Sequence, residues 1–165
     1  MKRASKPRIL FGFAMAAVFC IDRSIKAAVL ASPADVLLTL PGLLRIVRVA
    51  NAGYAFSLFS GGSAGILAAF SAIALAALAA AEWKYRHYWL QRPIVLTALA
   101  AVNGGALGNL YDRISTGAVT DYIELSFVRF PVFNFADICI TCGLLVVALF
   151  LLISPELSQN KGADV

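Results

Sequence analysis

Long apolar segments separated by short polar ones set the pattern of this chain. Four of the segments approach the roughly 20 residues that a helix needs to cross the hydrocarbon core of a bilayer. They lie at about 9–30, 63–82, 93–111 and 135–153. The connections at about 32–62 and 112–134 are more polar and fall on the same side of the membrane. The pattern therefore predicts four transmembrane helices with two longer connections on one face.

Turn residues and a β-branched stretch refine this picture. The break at Gly61-Gly62-Ser63 places the start of the second span, and Ser154-Pro155 closes the fourth. Between the first two spans, the stretch from Leu43 to Val49 is apolar and contains several β-branched residues, which predicts short strands at the membrane surface. We expect an all-α membrane protein forming a single domain over residues 1–165, with a small amount of strand outside the spans.

Composition agrees with a membrane protein. The chain is 61% hydrophobic, only 14% charged, and has a mean hydropathy of +0.82, far above what a soluble domain tolerates. Its net charge of +5 is dispersed among apolar segments without an aromatic-basic surface, so nucleic acid is not an expected partner. The positive charge is better explained by topology.

The distribution of basic residues predicts an orientation. Cytoplasmic connections carry an excess of Lys and Arg, and the N-terminal tail and the second connection are both basic. These residues are Lys2, Arg3, Lys6, Arg8, Lys84, Arg86 and Arg92. Both termini are therefore expected in the cytoplasm, although four arginines on the other side weaken the bias: Arg45, Arg48, Arg113 and Arg129. The aromatic cluster from Trp83 to Trp89 is typical of an interfacial belt on the inner face.

The first apolar segment has two interpretations. A basic tail followed by an apolar run is typical of a cleaved signal peptide, and Cys20 hints at a lipoprotein cleavage site. However, Phe19 is too large for the position before a cut, and the helical pattern continues through Asp22 and Lys26. We therefore predict that this segment is retained as the first span.

Polar residues concentrate at the outer ends of the predicted spans and in the outer connections. Ionisable groups near or within a bilayer are costly, and several at one depth indicate a functional site. The residues are Asp22, Asn51, Asn109, Asp112, Arg113, Asp121, Asn134 and Asp137.

Asp121 and Asp137 are the strongest catalytic candidates. They flank a short segment containing Pro131, Phe133 and Asn134, so the chain can bring the two carboxyl groups together. Two carboxylates sharing a site do not both ionise easily, so one holds a proton and the pair supplies a general base and a general acid around one water. Asp137 begins a helix, where the helix dipole favours the charged form of a base. The order of the two roles stays open at this stage.

The neighbouring polar residues permit a functional or a structural interpretation. Asn109 and Arg113 share one helix face if the third helix extends that far, and there they could orient a carboxylate. With Asp112, they could equally form a helix cap and a surface ion pair.

Two further pairs are predicted to be structural. Asp22 and Lys26 have the i, i+4 spacing of an ion pair within a helix. Gly104 and Gly108 form a G-x-x-x-G pattern that permits close approach of another helix.

Other catalytic chemistries find little support. Gly61–Gly65 matches G-x-S-x-G, but the only histidine, His87, lies 24 residues beyond Ser63, about 36 Å along a helix. One histidine and no H-E-x-x-H exclude a zinc protease in practice. Cys139 and Cys142 match C-x-x-C but lack a βαβ context, so they are predicted to pack between helices.

Three blocks in order resemble the lipoprotein signal peptidase, or signal peptidase II, family. Gly104–Arg113 is similar to the family's G-N-x-x-D-R block, Gly117–Tyr122 to its G-x-V-x-D-F block, and Phe133–Asp137 to its F-N-x-A-D block. Further segments follow in the family's order: Asp22 with Lys26, Leu40-Pro41-Gly42, and Asn51 to Phe56 with Gly53.

The resemblance implies an aspartic endopeptidase of the bacterial cytoplasmic membrane, with four helices and an extracytoplasmic β-cradle. Asp121 and Asp137 match the catalytic pair, at the periplasmic face. The substrate would be a diacylglyceryl-modified prolipoprotein, cut just before the lipidated cysteine, with no metal or organic cofactor. Residues that match substrate-lining positions, which also hold peptide inhibitors such as globomycin, are Asn51, Asn109, Arg113 and Asn134. Membrane lipids are the other expected partners, and the protein is expected to be monomeric.

The sequence departs from the family pattern at a few positions away from the aspartates. Tyr54 stands where a small residue is usual and could narrow the groove, and Tyr122 replaces Phe. Arg23 and Ile25 replace Gln and Thr between Asp22 and Lys26.

Two other classes of protein would also place polar residues in a small bundle. A transporter should have midplane sites and internal repeats, and we find no repeat. A helix-interaction protein would explain the glycines but not the paired carboxylates. A peptidase is therefore the preferred prediction.

Overall fold

The computed structural model describes residues 5–53 and 64–154. Tyr54, the Gly61-Gly62-Ser63 break and the basic residues Lys2 and Arg3 lie outside these ranges. The helices and strands, in chain order, are α1 (Ser5–Ala31), β1 (Val36–Leu40), β2 (Leu44–Asn51), α2 (Ala64–Lys84), α3 (Arg86–Trp89), α4 (Pro93–Ser115), β3 (Val119–Leu125) and α5 (Phe135–Ile153). The prediction of a mostly helical membrane protein with short strands is confirmed.

Three helices are long and apolar enough to cross a membrane within the described ranges. They are α2 from Gly65, α4 and α5. The helix α1 is longer than all of them, but Asp22, Arg23 and Lys26 lie close together near its C-terminal end. These charged residues distinguish α1 from the three apolar helices. The first of the four predicted spans therefore stays a prediction.

Helix α4 is the centre of the bundle because its small residues let neighbouring backbones come close. A Cβ atom added at Gly104 would lie 2.6 Å from the backbone oxygen of Met15 in α1. One added at Gly105 would lie 2.6 Å from the backbone oxygen of Ala136 in α5. Gly108, one turn further on, faces the carboxylate of Asp22 without room for a Cβ. These contacts bring α1 and α5 against adjacent positions of one helix.

Helix α4 also runs four residues beyond the predicted end of the third span, to Ser115. This extension keeps Asn109, Asp112 and Arg113 on one continuous helix. The polar end of α4 thereby reaches the level of the strands.

The strands form an antiparallel sheet in the order β1-β2-β3. A turn with Gly42 at a φ of 74° joins β1 to β2, a backbone conformation that glycine adopts without steric cost. In β2 and β3, Val49 pairs with Asp121 and Asn51 pairs with Val119. This register brings the end of β2 beside the start of β3 and places Asn51 next to Asp121.

We expect Gly104→Ala to destabilise the bundle by about 1–3 kcal/mol, the usual cost of overpacking a well-packed interior. The new methyl group would meet backbone rather than a flexible side chain end. Gly12→Ala is the matched control, since a Cβ there has no neighbour within 4 Å. Thermal unfolding in detergent should show a lower midpoint for Gly104→Ala alone. Equal midpoints for the two variants would contradict the close approach of α1 to α4.

Candidate active site

The two predicted catalytic aspartates come from different elements. Asp121 lies in β3 and is only 2% exposed, whereas Asp137 lies in the first turn of α5 and is half-buried. The chain between them returns to the sheet, where the backbone of Phe133 bonds to that of Ile123. This return brings the start of α5 to the edge of β3.

Asn134 connects the two aspartates through one side chain. It is the N-cap of α5, so its Oδ1 accepts a hydrogen bond from the Asp137 backbone N–H at 3.0 Å. The Asp137 Oδ2 in turn accepts from the Asn134 backbone N–H at 3.1 Å, which completes a capping box. The Asn134 Nδ2 is thereby directed toward Asp121 and donates to its Oδ1 at 2.7 Å. Asn134 is fully buried.

Two further asparagines each donate a hydrogen bond to one of the aspartates. Asn109, from α4, donates from Nδ2 to the Asp137 Oδ1 at 2.8 Å. Asn51, from β2, donates from Nδ2 to the Asp121 Oδ2 at 2.8 Å. Each carboxylate therefore accepts a side-chain amide at one oxygen and a hydrogen bond from Asn134 at the other.

Gly53 supports the orientation of Asn51. Its backbone N–H donates to the Asn51 Oδ1 at 2.9 Å, which leaves Nδ2 free to face Asp121. Gly53 has a φ of 92°, and a Cβ at this position would collide with the side chain of Leu67. Glycine is thus favoured here by backbone conformation, and a larger residue would also displace the Leu67 side chain.

A buried ionic cluster lies directly behind the asparagines. Lys26 is fully buried and lies 3.0 Å from Asp22 Oδ2 and 3.0 Å from Asp112 Oδ2. The other oxygen of Asp112 forms an ion pair with Arg23, and Asp112 Oδ2 also accepts from the Thr120 backbone N–H at 3.0 Å. The cluster ties α1, α4 and β3 together immediately below the aspartates.

Arg113 occupies the same end of α4 but is turned differently from Asn109. Its Nη1 donates to the backbone oxygen of Asn109 at 3.4 Å. The side chain is half-buried, and its positive charge interacts with the carboxyl groups of Asp137 and Asp121.

Burial raises the pKa of Asp121 above its usual value, and the negative charge of Asp137 raises it further. The hydrogen bonds from Asn51 and Asn134 and the charge of Lys26 act in the opposite direction without cancelling the effect of burial. Asp121 therefore holds its proton to a higher pH than an exposed aspartate does. This is the environment expected for the proton-bearing member of a carboxyl pair.

Several contacts of the site were not predicted from the sequence. The i, i+4 spacing predicted a Lys26 pair with Asp22, but not the contact of Lys26 with Asn109 or the ion pair of Arg23 with Asp112. Tyr122 was noted only as a departure from a pattern, yet its hydroxyl accepts the Phe135 N–H at 3.0 Å. Burial raises the pKa of Tyr122 to about 12. No local signal in the sequence identifies these contacts, because each joins separate elements.

The fold and the site define a class: a mostly helical membrane protein with a carboxyl pair held by amides between a small sheet and the ends of its helices. Similarity to known proteins identifies a family within this class. The family model described as signal peptidase (SPase) II matches residues 14–153. The lipoprotein signal peptidase of Lactiplantibacillus plantarum is 34% identical over 82% of this chain and 89% of its own length. That of Dehalococcoides mccartyi is 35% identical over 75% of this chain and 76% of its own.

A solved structure agrees with these sequence relatives. A bacterial membrane enzyme determined by the in meso method at 2.3 Å superposes with a TM-score of 0.72 at 25% identity, covering 94% of this chain and 93% of that one. The chain belongs to the signal peptidase II family, the lipoprotein signal peptidases. It is accordingly a membrane peptidase that removes signal peptides from lipoproteins.

Proposed function

We propose that the protein is an aspartic endopeptidase in which Asp121 and Asp137 activate one water, and that it cuts diacylglyceryl-modified prolipoproteins just before the lipidated cysteine. The observation that carries this proposal is buried Asn134, whose backbone N–H donates to the Asp137 carboxylate and whose side-chain amide donates to that of Asp121. A residue shared in this way fixes two aspartates from different elements relative to each other. Such a fixed pair supplies an acid and a base to one water.

The proposed reaction begins with a water between the two side chains. Asp137, as the carboxylate, accepts a proton from this water while the water oxygen bonds to the scissile carbonyl carbon. Asp121 donates its proton to the carbonyl oxygen, which gives a neutral gem-diol. In the second step Asp121 recovers a proton from the gem-diol, Asp137 protonates the amide nitrogen, and the C–N bond breaks. The pair ends in its starting protonation state, with one water consumed.

Three features support Asp137 as the base. It lies in the first turn of α5, where the helix dipole stabilises a negative charge. Its two oxygens accept from a backbone N–H and from the Asn109 amide. It is also more exposed than Asp121, so water reaches it more readily. The raised pKa of Asp121 suits the acid.

We propose that substrate enters from the bilayer at the periplasmic face of the bacterial inner membrane, with four spans and both chain termini in the cytoplasm. Asn51, Asn109, Arg113 and Asn134 would line the bound peptide, and globomycin-type peptides would occupy the same place. Chemical labelling of a cysteine at exposed position 131 in intact cells tests the orientation. Labelling only after the inner membrane is made permeable would contradict it.

Substrate chemistry is tested with the purified protein and a matched pair of precursors. One precursor carries diacylglyceryl on the cysteine that follows the signal peptide, and the other has the same sequence without lipid. We expect cleavage of the lipidated precursor alone, with product masses that place the cut immediately before the modified cysteine. Equal cleavage of both precursors, or a cut elsewhere, would contradict the proposed specificity.

Asn51→Leu is expected to move the basic limb of the pH dependence of kcat/KM to higher pH. The leucine keeps much of the side-chain volume but removes a hydrogen bond that lowers the pKa of Asp121. The pair then keeps its single proton to higher pH, so activity falls later as pH rises. The pH profiles of wild type and variant, fitted together, test this. A shift to lower pH would show that the limb does not report Asp121.

A further inference from the structure

A buried lysine is linked to the aspartate pair through the side-chain amide of one asparagine. The Lys26 Nζ lies 2.8 Å from the Asn109 Oδ1, and 3.0 Å each from Asp22 and Asp112. An ammonium group has three N–H donors and no acceptor. Lys26 donates a hydrogen bond to Asn109, and the two neighbouring carboxylates hold the charged group in place.

The position of this ammonium determines which way the Asn109 amide faces. Asn109 Oδ1 accepts from Lys26 and also from Asn134 Nδ2 at 3.1 Å, while its Nδ2 donates to Asp137. Rotating the amide by half a turn would place its N–H groups against two donors. The same rotation would place its carbonyl oxygen against the Asp137 carboxylate. Only the observed orientation satisfies all three neighbours.

We propose that Lys26 is a positioning residue for the peptidase reaction, which fixes the Asn109 amide so that its N–H always faces Asp137. The proposal rests on the proposed roles of Asp121 and Asp137. A lysine that only formed an ion pair with Asp22 would have no role in the reaction. The proposed role of Lys26 comes from its contact with Asn109. Lys26 touches neither the substrate nor the reacting water, and it acts through Asn109.

The charged groups around Lys26 show why a simple substitution would be ambiguous. From α1 it faces Asp22, with Arg23 nearby, and from α4 it faces Asp112. Lys26→Met would leave both carboxylates without this partner, so loss of folding could hide any effect on the reaction. Asp112 would still have Arg23 and the Thr120 N–H, but Asp22 would lose the ion pair that it makes.

A double substitution removes this ambiguity. Asp22→Asn with Lys26→Met neutralises both members of the pair and leaves the net charge unchanged. Asp22→Asn alone is the control, because it breaks the ion pair but keeps the Lys26 hydrogen bond to Asn109. If Lys26 were purely structural, the double variant would have the pH profile of this control, and its kcat would differ only as far as its thermal stability does.

The two variants are compared by thermal unfolding and by kinetics on the lipidated precursor. We expect Asp22→Asn to keep a kcat within about threefold of wild type. The double variant should unfold near the same temperature as the control, with kcat lower by about tenfold or more and KM unchanged. Its basic limb should also move to higher pH, because the charge of Lys26 lowers the pKa of Asp121.

The results separate this inference from the proposed function. A double variant with the kcat and pH profile of the control would overturn the role of Lys26 and leave the aspartate pair intact. A fall in kcat that only parallels a fall in thermal stability, with an unchanged pH profile, would also overturn it. Activity in Asp121→Asn, measured in the same preparations, would instead contradict the proposed function itself.

Discussion

Asp121→Asn and Asp137→Asn are each expected to lower kcat by a factor of roughly 10²–10⁴, the usual contribution of a positioned acid or base. Asparagine has nearly the same shape as aspartate but neither accepts nor donates a proton in this reaction. The measurement is the initial rate of cleavage of the lipidated precursor by equal amounts of folded enzyme. A variant at either position that keeps the wild-type rate would contradict the assignment.

Both asparagine variants should remain folded. A carboxyl group whose folded pKa is raised contributes stability that is lost as pH rises through that pKa. Asp121→Asn is therefore expected to gain unfolding temperature relative to wild type as pH rises from 4 to 8, whatever it loses at both pH values by placing its own NH2 group against an amide donor. Unfolding curves at these two pH values serve as the control for the kinetic measurement.

Asn134→Ala is expected to lower both stability and activity. It removes the N-cap of α5, which costs about 1–2 kcal/mol, and it removes the amide that donates to Asp121. Thermal unfolding and cleavage rates measure the two effects separately.

Asn134→Ser is the matched comparison. Serine is an equally good N-cap, so it should recover most of the stability lost in Asn134→Ala. Its short hydroxyl cannot cap α5 and also reach Asp121 and Asn109, so activity should stay low. Recovery of activity together with stability would show that Asn134 acts only as a helix cap.

The local elements could be predicted from the sequence because they depend on local patterns. Apolar stretches of spanning length gave α2, α4 and α5, and the β-branched stretch after Leu43 gave β2. Helix α1 does not meet the same criterion, because it contains Asp22, Arg23 and Lys26. The free-energy cost of burying these charged side chains is offset by ion-pair partners on other elements, and a hydropathy average does not include such partners.

The geometry of the site depends on contacts between elements. The sequence indicated that Asp121 and Asp137 could meet, because a short segment joins them. It could not give the pairing of Val49 with Asp121, which places Asn51 beside the carboxylate. Nor could it give the orientation of the asparagine amides, which is set by a helix terminus for Asn134 and by Lys26 for Asn109.

The most direct test of the aspartate pair compares Asp121→Asn, Asp137→Asn and the double variant in one set of single-turnover rates on the lipidated precursor. When two residues act as one catalytic unit, removing either of them abolishes most of the rate enhancement that the pair provides. We predict that the double variant cleaves within about threefold of the slower single variant. Losses that multiply in the double variant, or wild-type cleavage by either single variant, would contradict a shared site in which the two aspartates activate one water.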